Sequence, residues 1–332
     1  MNRRTTLNVK ISTSAPSHIL IFLPLLTYSL YWGMRKSMVG SDTLTYEAIY
    51  RSYLRKDVQI IETSDAGFLW IMHLASIFSS EPKSLFILIC LIISVSFYIS
   101  GVIFLKKPIY LAVYVFILIT SPIYMSINTN ILRHGIAIAI AILGMSIVYR
   151  FGKNILKIPF AYLPTLFHSV AGILSLPLFI KIIRYNTIHI WVLLVIISYF
   201  SGYYSTSLSN FIPDDYFDYL SGNFEYRKGF RIEFVAFSAI PIFMTIILPF
   251  RRMSPETKWV FNAYLLMNGA ALVMNFISYS DRLLTNSWIT LPLLTTLIIK
   301  DINTVGYRRK DNRLIFTGVV LISIIIANIG IA

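Results

Sequence analysis

Long uninterrupted apolar segments alternate with short polar segments along almost the whole chain. The apolar segments lie at residues 18–33, 84–105, 108–126, 131–149, 155–181, 188–203, 232–250, 258–278, 283–299 and 314–331. A helix of about 20 mostly apolar residues is long enough to cross the hydrocarbon core of a bilayer. The pattern therefore predicts an all-α protein, a polytopic transmembrane helical bundle with about ten spans.

Two apolar segments depart from this simple pattern. Residues 68–79 are too few to span a bilayer comfortably, so we interpret them as a re-entrant or interfacial helix. The segment 155–181 contains residues that break or kink helices, namely Pro159, Pro164, Gly172 and Pro177. We therefore expect 155–181 to form a V of two short helices that enters the membrane and returns to the same side.

The composition agrees with a membrane protein. The 332 residues are 56% hydrophobic and only 13% charged, whereas a soluble domain averages about 25% charged residues. The net charge of +14 comes from basic residues dispersed through short loops, so it indicates orientation and contact with membrane lipid rather than nucleic-acid binding. We expect one integral membrane domain over 1–332, with longer external loops at about 34–67 and 204–231.

The distribution of basic residues predicts the orientation. If the N-terminus is cytoplasmic and the V returns, 18 of the 29 Lys and Arg residues lie on the cytoplasmic side, with only three of the 15 Asp and Glu residues. The other side then holds bases and acids in nearly equal numbers. The reverse orientation would invert the usual positive-inside bias.

The sequence offers little that would bind a metal or a nucleotide. The single cysteine, Cys90, lies inside an apolar segment and can form neither an intrachain disulfide nor a thiolate metal cluster. The acidic cluster of Asp214, Asp215 and Asp218 could bind a hard cation, but we interpret it as solvated loop acids. No Walker loop or dinucleotide fingerprint is present. We predict no metal and no cofactor.

The charged residues outside the cytoplasmic loops mark a candidate site. Arg133 and Arg282 each begin an apolar segment, and His168 would lie at the apex of the V. Any one such residue could simply extend to the lipid headgroups. Convergence on one face favours a site instead, and the ionisable residues expected there are Asp42, Glu62, Arg133, His168, Arg227, Lys228 and Arg282.

The segment from Asp42 to Tyr50 has two interpretations. Asp42 precedes a helical pattern and could cap it, with Tyr46 and Tyr50 on one face of the helix. Alternatively, the carboxylate and the tyrosine rings form a surface that holds sugars. The residue types alone leave both open.

Five short motifs follow one another along the chain. They are Gly40-Ser41-Asp42-Thr43-x-x-Tyr46, Glu62 ahead of Gly67-Phe68, Asn130 to His134 opening an Ala-rich segment, Phe167-His168-Ser169, and Arg282 before a span. Together, over about residues 18–300, they resemble the EpsG family, membrane proteins similar to the Wzy-type polymerases of O-antigen and exopolysaccharide. At one position the chain departs from this family, which more often has Gln where His134 stands.

The resemblance implies a GT-C-like bundle and a metal-independent glycosyltransferase. Its substrate would be undecaprenyl-diphosphate-linked oligosaccharide, with repeat units joined at the periplasmic or outer face of a bacterial inner membrane. A chain-length regulator or a flippase protein is the expected protein partner.

Glycosyl transfer from a lipid diphosphate assigns roles to the candidate residues. Arginine stays charged and binds phosphate through two hydrogen bonds, so Arg133 and Arg282 are the leading diphosphate ligands. The cations in reserve are Arg35, Arg227 and Lys228. His168 is the leading general base, because the pKa of histidine lies near physiological pH, and Asp42 and Glu62 compete for that role or bind sugar hydroxyls.

Alternatives of other classes stay open. His168 could be a structural histidine at a broken helix. The protein could be a flippase or transporter of polysaccharide units, a membrane acyltransferase, or a non-catalytic member of an export complex. A transporter usually shows internal repeats and charges near the bilayer midplane, and the sequence has neither pattern.

Overall fold

Every regular element in the described part of the chain is a helix. The computed structural model describes residues 15–57, 65–180, 187–204 and 229–304. Its first helices are α1 (Ala15–Gly33), α2 (Thr43–Leu54), α3 (Ala66–Phe78), α4 (Pro82–Phe104), α5 (Pro108–Ile119), α6 (Pro122–Thr129) and α7 (Leu132–Phe151). They are followed by α8 (Lys157–Tyr162), α9 (Leu176–Phe179), α10 (Ile188–Tyr199), α11 (Ile232–Ser238), α12 (Ile240–Ile247), α13 (Pro255–Val273), α14 (Ser280–Trp288) and α15 (Leu291–Thr304). Short 3₁₀ helices occupy Asn154–Leu156, Leu163–Leu166, Ser169–Ser175 and Phe250–Arg252.

Helix α4 lies at the centre of the first half and packs against α1 and α7. Its large apolar side chains, including Phe86, Ile89 and Phe97, are fully or almost fully buried. Helices in a membrane pack closely where small residues let their backbones approach. Gly101 is such a residue, because a Cβ there would lie only 2.6 Å from the Tyr114 ring of α5.

Residues 108–129 form a bent pair of helices and not the single straight span that the sequence predicts. Helix α5 ends at Ile119 and α6 begins at Pro122, at an angle of 65° to it. Proline cannot continue the hydrogen-bond ladder of the preceding helix, whereas it is favoured in the first turn of a new one. The bend gives α6 its own direction, and α6 ends next to the first turn of α7.

Residues 155–180 form short helices on both sides of His168 and not one straight span. Helix α8 and the 3₁₀ helix Leu163–Leu166 precede His168, while the 3₁₀ helix Ser169–Ser175 and α9 follow it. The first arm packs against the second, and both contact α7. The two arms thus fold back on each other, in the shape expected of the V.

Helix α13 is central to the second half and carries polar side chains on its buried face. Asn262 accepts a hydrogen bond from the Thr187 hydroxyl at 2.8 Å, and Asn268 accepts one from the Trp191 indole N–H at 2.8 Å. Hydrogen bonds between membrane helices add to the packing of their apolar surfaces. They fix α10 against α13.

Three helical segments in the described residues are long and apolar enough to cross a membrane: Pro82–Phe104, Leu132–Phe151 and, with α14 and α15 taken together, Ser280–Thr304. The bent pair α5–α6 would make a fourth if it is one span. Other apolar segments are shorter helices, among them the interfacial candidate Ala66–Phe78, and the predicted segment 314–331 lies outside the described residues. The fold agrees with a helical membrane protein; the count of about ten spans and a GT-C-like arrangement stay predictions.

Candidate functional site

A cavity of about 240 Å³ opens where the first turn of α7 meets α2, the break at His168 and the first turn of α14. Its walls are formed by Asp42, Thr45, Tyr46, Ile49, Ile131, Arg133, His134, His168 and Arg282. We call it the charged cavity. Of the nine predicted site residues, the five that line it are Asp42, Tyr46, Arg133, His168 and Arg282.

Hydrogen bonds to the end of α6 hold the loop that precedes α2. The backbone N–H of Ser41 donates to Asn130 Oδ1 at 3.1 Å. Gly40 has φ +89°, and a Cβ there would lie 2.8 Å from the same Asn130 oxygen. Glycine is therefore needed at this close approach. Two of the sequence motifs, 89 residues apart, meet at this hydrogen bond.

Arg35 also stabilises the loop that precedes α2, and it does not line the charged cavity. Its guanidinium donates to Thr43 Oγ1 at 3.0 Å and to the carbonyls of Asn128 and Thr129 at 3.3 Å, and it lies 4.2 Å from the centroid of the Phe86 ring. The residue is only 5% exposed. These contacts favour a structural role over the diphosphate contact considered for it.

Asp42 lies at the N-cap position of α2, but its side chain makes no capping hydrogen bond. The carboxylate instead accepts a hydrogen bond from Ser41 Oγ at 2.8 Å, at the wall of the charged cavity. Asp42 thus occupies the N-cap position that the sequence predicts, but its side chain does not form the capping hydrogen bond. One turn further on, Tyr46 is buried in the same wall, and burial raises its pKa while nearby Arg133 opposes the rise.

Tyr50 lies one turn beyond Tyr46 and does not line the charged cavity. It is fully buried, and its hydroxyl donates to the carbonyl of Ser79 at 2.8 Å. Of the two tyrosines expected to form a sugar-holding surface, only Tyr46 reaches the cavity. The hydrogen bond of Tyr50 connects α2 to the residue that follows α3.

Arg133 enters the charged cavity from the first turn of α7. Its Nη1 donates to Asp65 Oδ2 at 3.3 Å, and the side chains are 36% and 31% exposed respectively. The guanidinium also lies 5.8 Å from the centroid of the Phe68 ring, within the range of a cation–π contact. Arg133 is therefore held on two sides while the rest of its guanidinium faces the cavity.

His134 follows Arg133 and also lines the charged cavity. Its Nε2 lies 2.6 Å from Asn286 Oδ1. This contact joins the first turn of α7 to α14. His134 is 3% exposed and Asn286 is fully buried.

His168 lies at the break between the two arms of the V. Its ring centroid is 4.8 Å from that of His134. Burial above all, and then the charges of His134, Arg133 and Arg282, lower the pKa of His168 to about 3. The imidazole is therefore uncharged at physiological pH.

Arg282 completes the cavity from the first turn of α14. Its guanidinium lies 4.6 Å from the centroid of the Tyr279 ring. Tyr279 is the N-cap residue and has φ +60°, a left-handed conformation that non-glycine residues adopt rarely. Such strained residues concentrate at functional sites. Here the strained residue lies directly before the first turn of α14, which carries Arg282 to the cavity.

The remaining predicted residues cannot be placed. Glu62, Arg227 and Lys228 lie outside the described residues, as does the acidic cluster of Asp214, Asp215 and Asp218. Among the residues that are described, no group of three or more His, Cys, Asp or Glu side chains could hold a metal ion.

Sequence reasoning missed two residues at the site. Asp65 pairs with Arg133, yet its position before a helix is that of an ordinary N-cap residue. Asn286 bonds to His134 from within α14, where an isolated asparagine gives no sequence signal. Both contacts join segments that are far apart in the chain.

The charged cavity has the chemistry of an anion-binding site with a proton acceptor. Two arginines supply several N–H donors for a ligand with several negative charges. An uncharged imidazole and the Asp42 carboxylate can each accept a proton from a hydroxyl.

The comparisons with known proteins identify the family of this chain. The family model described as the EpsG family matches residues 18–329, nearly the whole chain. No curated protein matches the sequence, and no solved structure matches it. The match spans both halves of the helical bundle and every described residue of the charged cavity. The chain belongs to the EpsG family.

Proposed function

We propose that this protein is a membrane polysaccharide polymerase. It joins oligosaccharide repeat units carried on a polyprenyl diphosphate, by metal-independent glycosyl transfer. The observation that carries the proposal is the charged cavity, in which Arg133, Arg282, His168 and Asp42 face one space of about 240 Å³. Membership of the EpsG family points to the same type of reaction.

The two arginines bind the diphosphate that leaves. As the bond between the anomeric carbon and the diphosphate oxygen breaks, negative charge builds up on that oxygen. Guanidinium groups stabilise this charge through bidentate hydrogen bonds. Such electrostatic stabilisation is usually the largest single contribution to catalysis.

The proton of the acceptor hydroxyl passes to His168, with Asp42 as the other candidate base. The hydroxyl oxygen attacks the anomeric carbon, and the proton it loses moves to the uncharged imidazole. The lowered pKa of His168 makes it a weak base in the free protein. A bound diphosphate offsets the charge of the two arginines and therefore raises that pKa.

We place the charged cavity on the outer face of the membrane. Thr45 lines the cavity, whereas Asn154 follows the C-terminus of the 20-residue helix α7, and both are exposed. Since α7 is about 30 Å long, its two ends reach opposite membrane faces. An impermeant thiol reagent added to intact spheroplasts should label Thr45→Cys and leave Asn154→Cys unlabelled.

The buried native Cys90 gives a low background in that experiment, and permeabilised cells provide the control for labelling at both positions. Labelling of Asn154→Cys but not of Thr45→Cys in intact cells would overturn the orientation.

A strain that lacks the gene should lose long polysaccharide and accumulate lipid-diphosphate-linked single repeat units in the outer leaflet. Lipid extraction with mass spectrometry identifies the intermediate, and protection from an externally added glycosidase reports its leaflet. Accumulation in the cytoplasmic leaflet would identify a flippase and refute the polymerase. Unchanged polysaccharide with altered acyl groups would identify an acyltransferase.

A further inference from the structure

The N-cap residue of α3 is acidic, but its side chain does not form the hydrogen bond that is usual at this position. Asp65 is the N-cap residue of α3, but its side chain makes no capping hydrogen bond. Aspartate is favoured at N-caps because its carboxylate accepts a hydrogen bond from the first turn. The carboxylate of Asp65 instead pairs with Arg133 Nη1 at 3.3 Å.

Phe68, in the first turn of α3, contacts two residues that line the charged cavity. The Phe68 ring lies 5.8 Å from the Arg133 guanidinium and 5.8 Å from the Tyr46 ring. Phe68 itself is fully buried. One aromatic ring therefore supports an arginine and a tyrosine of the cavity wall.

Gly67 brings the same turn against the segment that carries His168. A Cβ at Gly67 would lie 2.9 Å from the carbonyl oxygen of Leu166 and 2.9 Å from the Phe167 ring. Only glycine permits this approach without a shift of the neighbouring chain. The turn thus touches the residue immediately before His168.

We propose that the first turn of α3, residues 65–68, is a positioning element that sets the distance between Arg133 and His168, with the Asp65 carboxylate as its key group. It holds Arg133 by an ion pair and a ring contact, and it holds the arm of His168 by backbone contact. This inference rests on the proposed function, because it assigns the two positioned groups to the diphosphate and the acceptor hydroxyl.

The position of Asp65 predicts how it acts. Asp65 does not line the charged cavity, so it makes no direct contact with a ligand there. It neutralises part of the charge of Arg133 in the free protein and fixes the direction of the guanidinium. Removing the carboxylate leaves Arg133 more strongly attractive to anions but less well directed.

The test is the Asp65→Asn variant, assayed as purified full-length protein in nanodiscs with a lipid-diphosphate oligosaccharide. Asparagine caps helices as well as aspartate does, so a residue that acted only as a cap would show no effect. We expect kcat to fall about 10- to 100-fold, the range typical of a misdirected catalytic group. We expect KM for the lipid substrate and the inhibition constant of inorganic pyrophosphate to stay unchanged or to fall. Asp65→Glu should recover part of the lost kcat.

Glu81→Gln is the matched control. Glu81 is the N-cap residue of α4, makes no capping hydrogen bond, is exposed and does not line the charged cavity. Its substitution should leave both constants unchanged. If Asp65→Asn behaves like Glu81→Gln, or raises KM without lowering kcat, the inference is wrong.

This failure is distinguishable from a failure of the proposed function. If the wild-type protein forms no glycosidic bond, the proposed function itself fails, and if Arg133→Ala is as active as the wild type, Arg133 does not belong to the diphosphate site. If the wild-type protein and Arg133→Ala both behave as proposed and Asp65→Asn is as active as the wild type, only the positioning role is refuted.

Discussion

We expect that replacing Arg133 or Arg282 by alanine abolishes long-chain polysaccharide while the protein remains folded and inserted. Both arginines line the charged cavity, and under the proposed function each stabilises the charge that develops on the leaving diphosphate. Loss of one such donor typically lowers kcat about 100- to 1000-fold. The measurement is the length distribution of the polysaccharide on a gel, together with the amount of protein in the membrane fraction.

Lysine variants at the same positions sharpen this prediction. Lysine keeps the positive charge but cannot form the two parallel hydrogen bonds of arginine, so Arg133→Lys and Arg282→Lys should retain a small part of the activity. Arg231→Ala is the matched control, because Arg231 is also half-exposed, ion-paired to Glu233 and stacked on Phe234, but does not line the charged cavity. Normal chain length in either cavity variant would remove that arginine from the diphosphate site.

We expect that replacing His168 by alanine causes lipid-linked single units to accumulate. Under the proposed function the acceptor hydroxyl then lacks its base, and general base catalysis typically contributes about 100- to 10,000-fold to the rate. Binding of the diphosphate should continue, because both arginines remain. The lipid fraction shows how much of the lipid-linked single unit accumulates, and the polysaccharide ladder on a gel shows the loss of long chains.

The pH dependence provides a second test of His168. The profile of kcat/KM reports the pKa values of the free protein. Because burial and the neighbouring cations lower the pKa of His168 to about 3, the imidazole becomes charged only well below pH 5. A loss of kcat/KM that is due to His168 should therefore be absent between pH 5 and 8. An acid limb near pH 6.5 would show instead that His168 titrates as an ordinary exposed histidine.

His73→Ala is the matched control for His168→Ala. His73 is exposed on α3 and does not line the charged cavity. A wild-type ladder in the His168 variant would assign the base role to Asp42 or to a residue outside the described part of the chain. An equal defect in the His73 variant would indicate damage to the fold.

The pattern of apolar segments determined the class of fold. Continuous apolar segments over residues 84–105 and 131–149 correspond to the helices Pro82–Phe104 and Leu132–Phe151, because the length of such a segment alone meets the requirement of a bilayer span. The prolines in 155–181 likewise predicted a broken segment. The bend between α5 and α6 was missed, although Pro122 was its signal, since a proline in an apolar run predicts a break but not its angle.

For the site, the sequence determined which residue types were available and at which segment ends they lie. Its motifs named Asp42, Tyr46, Arg133, His168 and Arg282, and all five line one cavity. Their roles stay predictions. The sequence could not separate Tyr46 from Tyr50, because a spacing of four residues places both on one helix face and does not show where that face ends.

Only the tertiary structure decided which charged groups are partners. Asp65 and Arg133 are 68 residues apart, and His134 and Asn286 are 152 residues apart. Such pairs depend on how helices pack around one another, and periodicity along a single helix does not encode this. The sequence by itself therefore determined a helical membrane protein of the EpsG family with ionisable residues at its segment ends. The packing of α2, α3, α7 and α14 determined that these residues share one space, because contacts between distant segments exist only after the chain has folded.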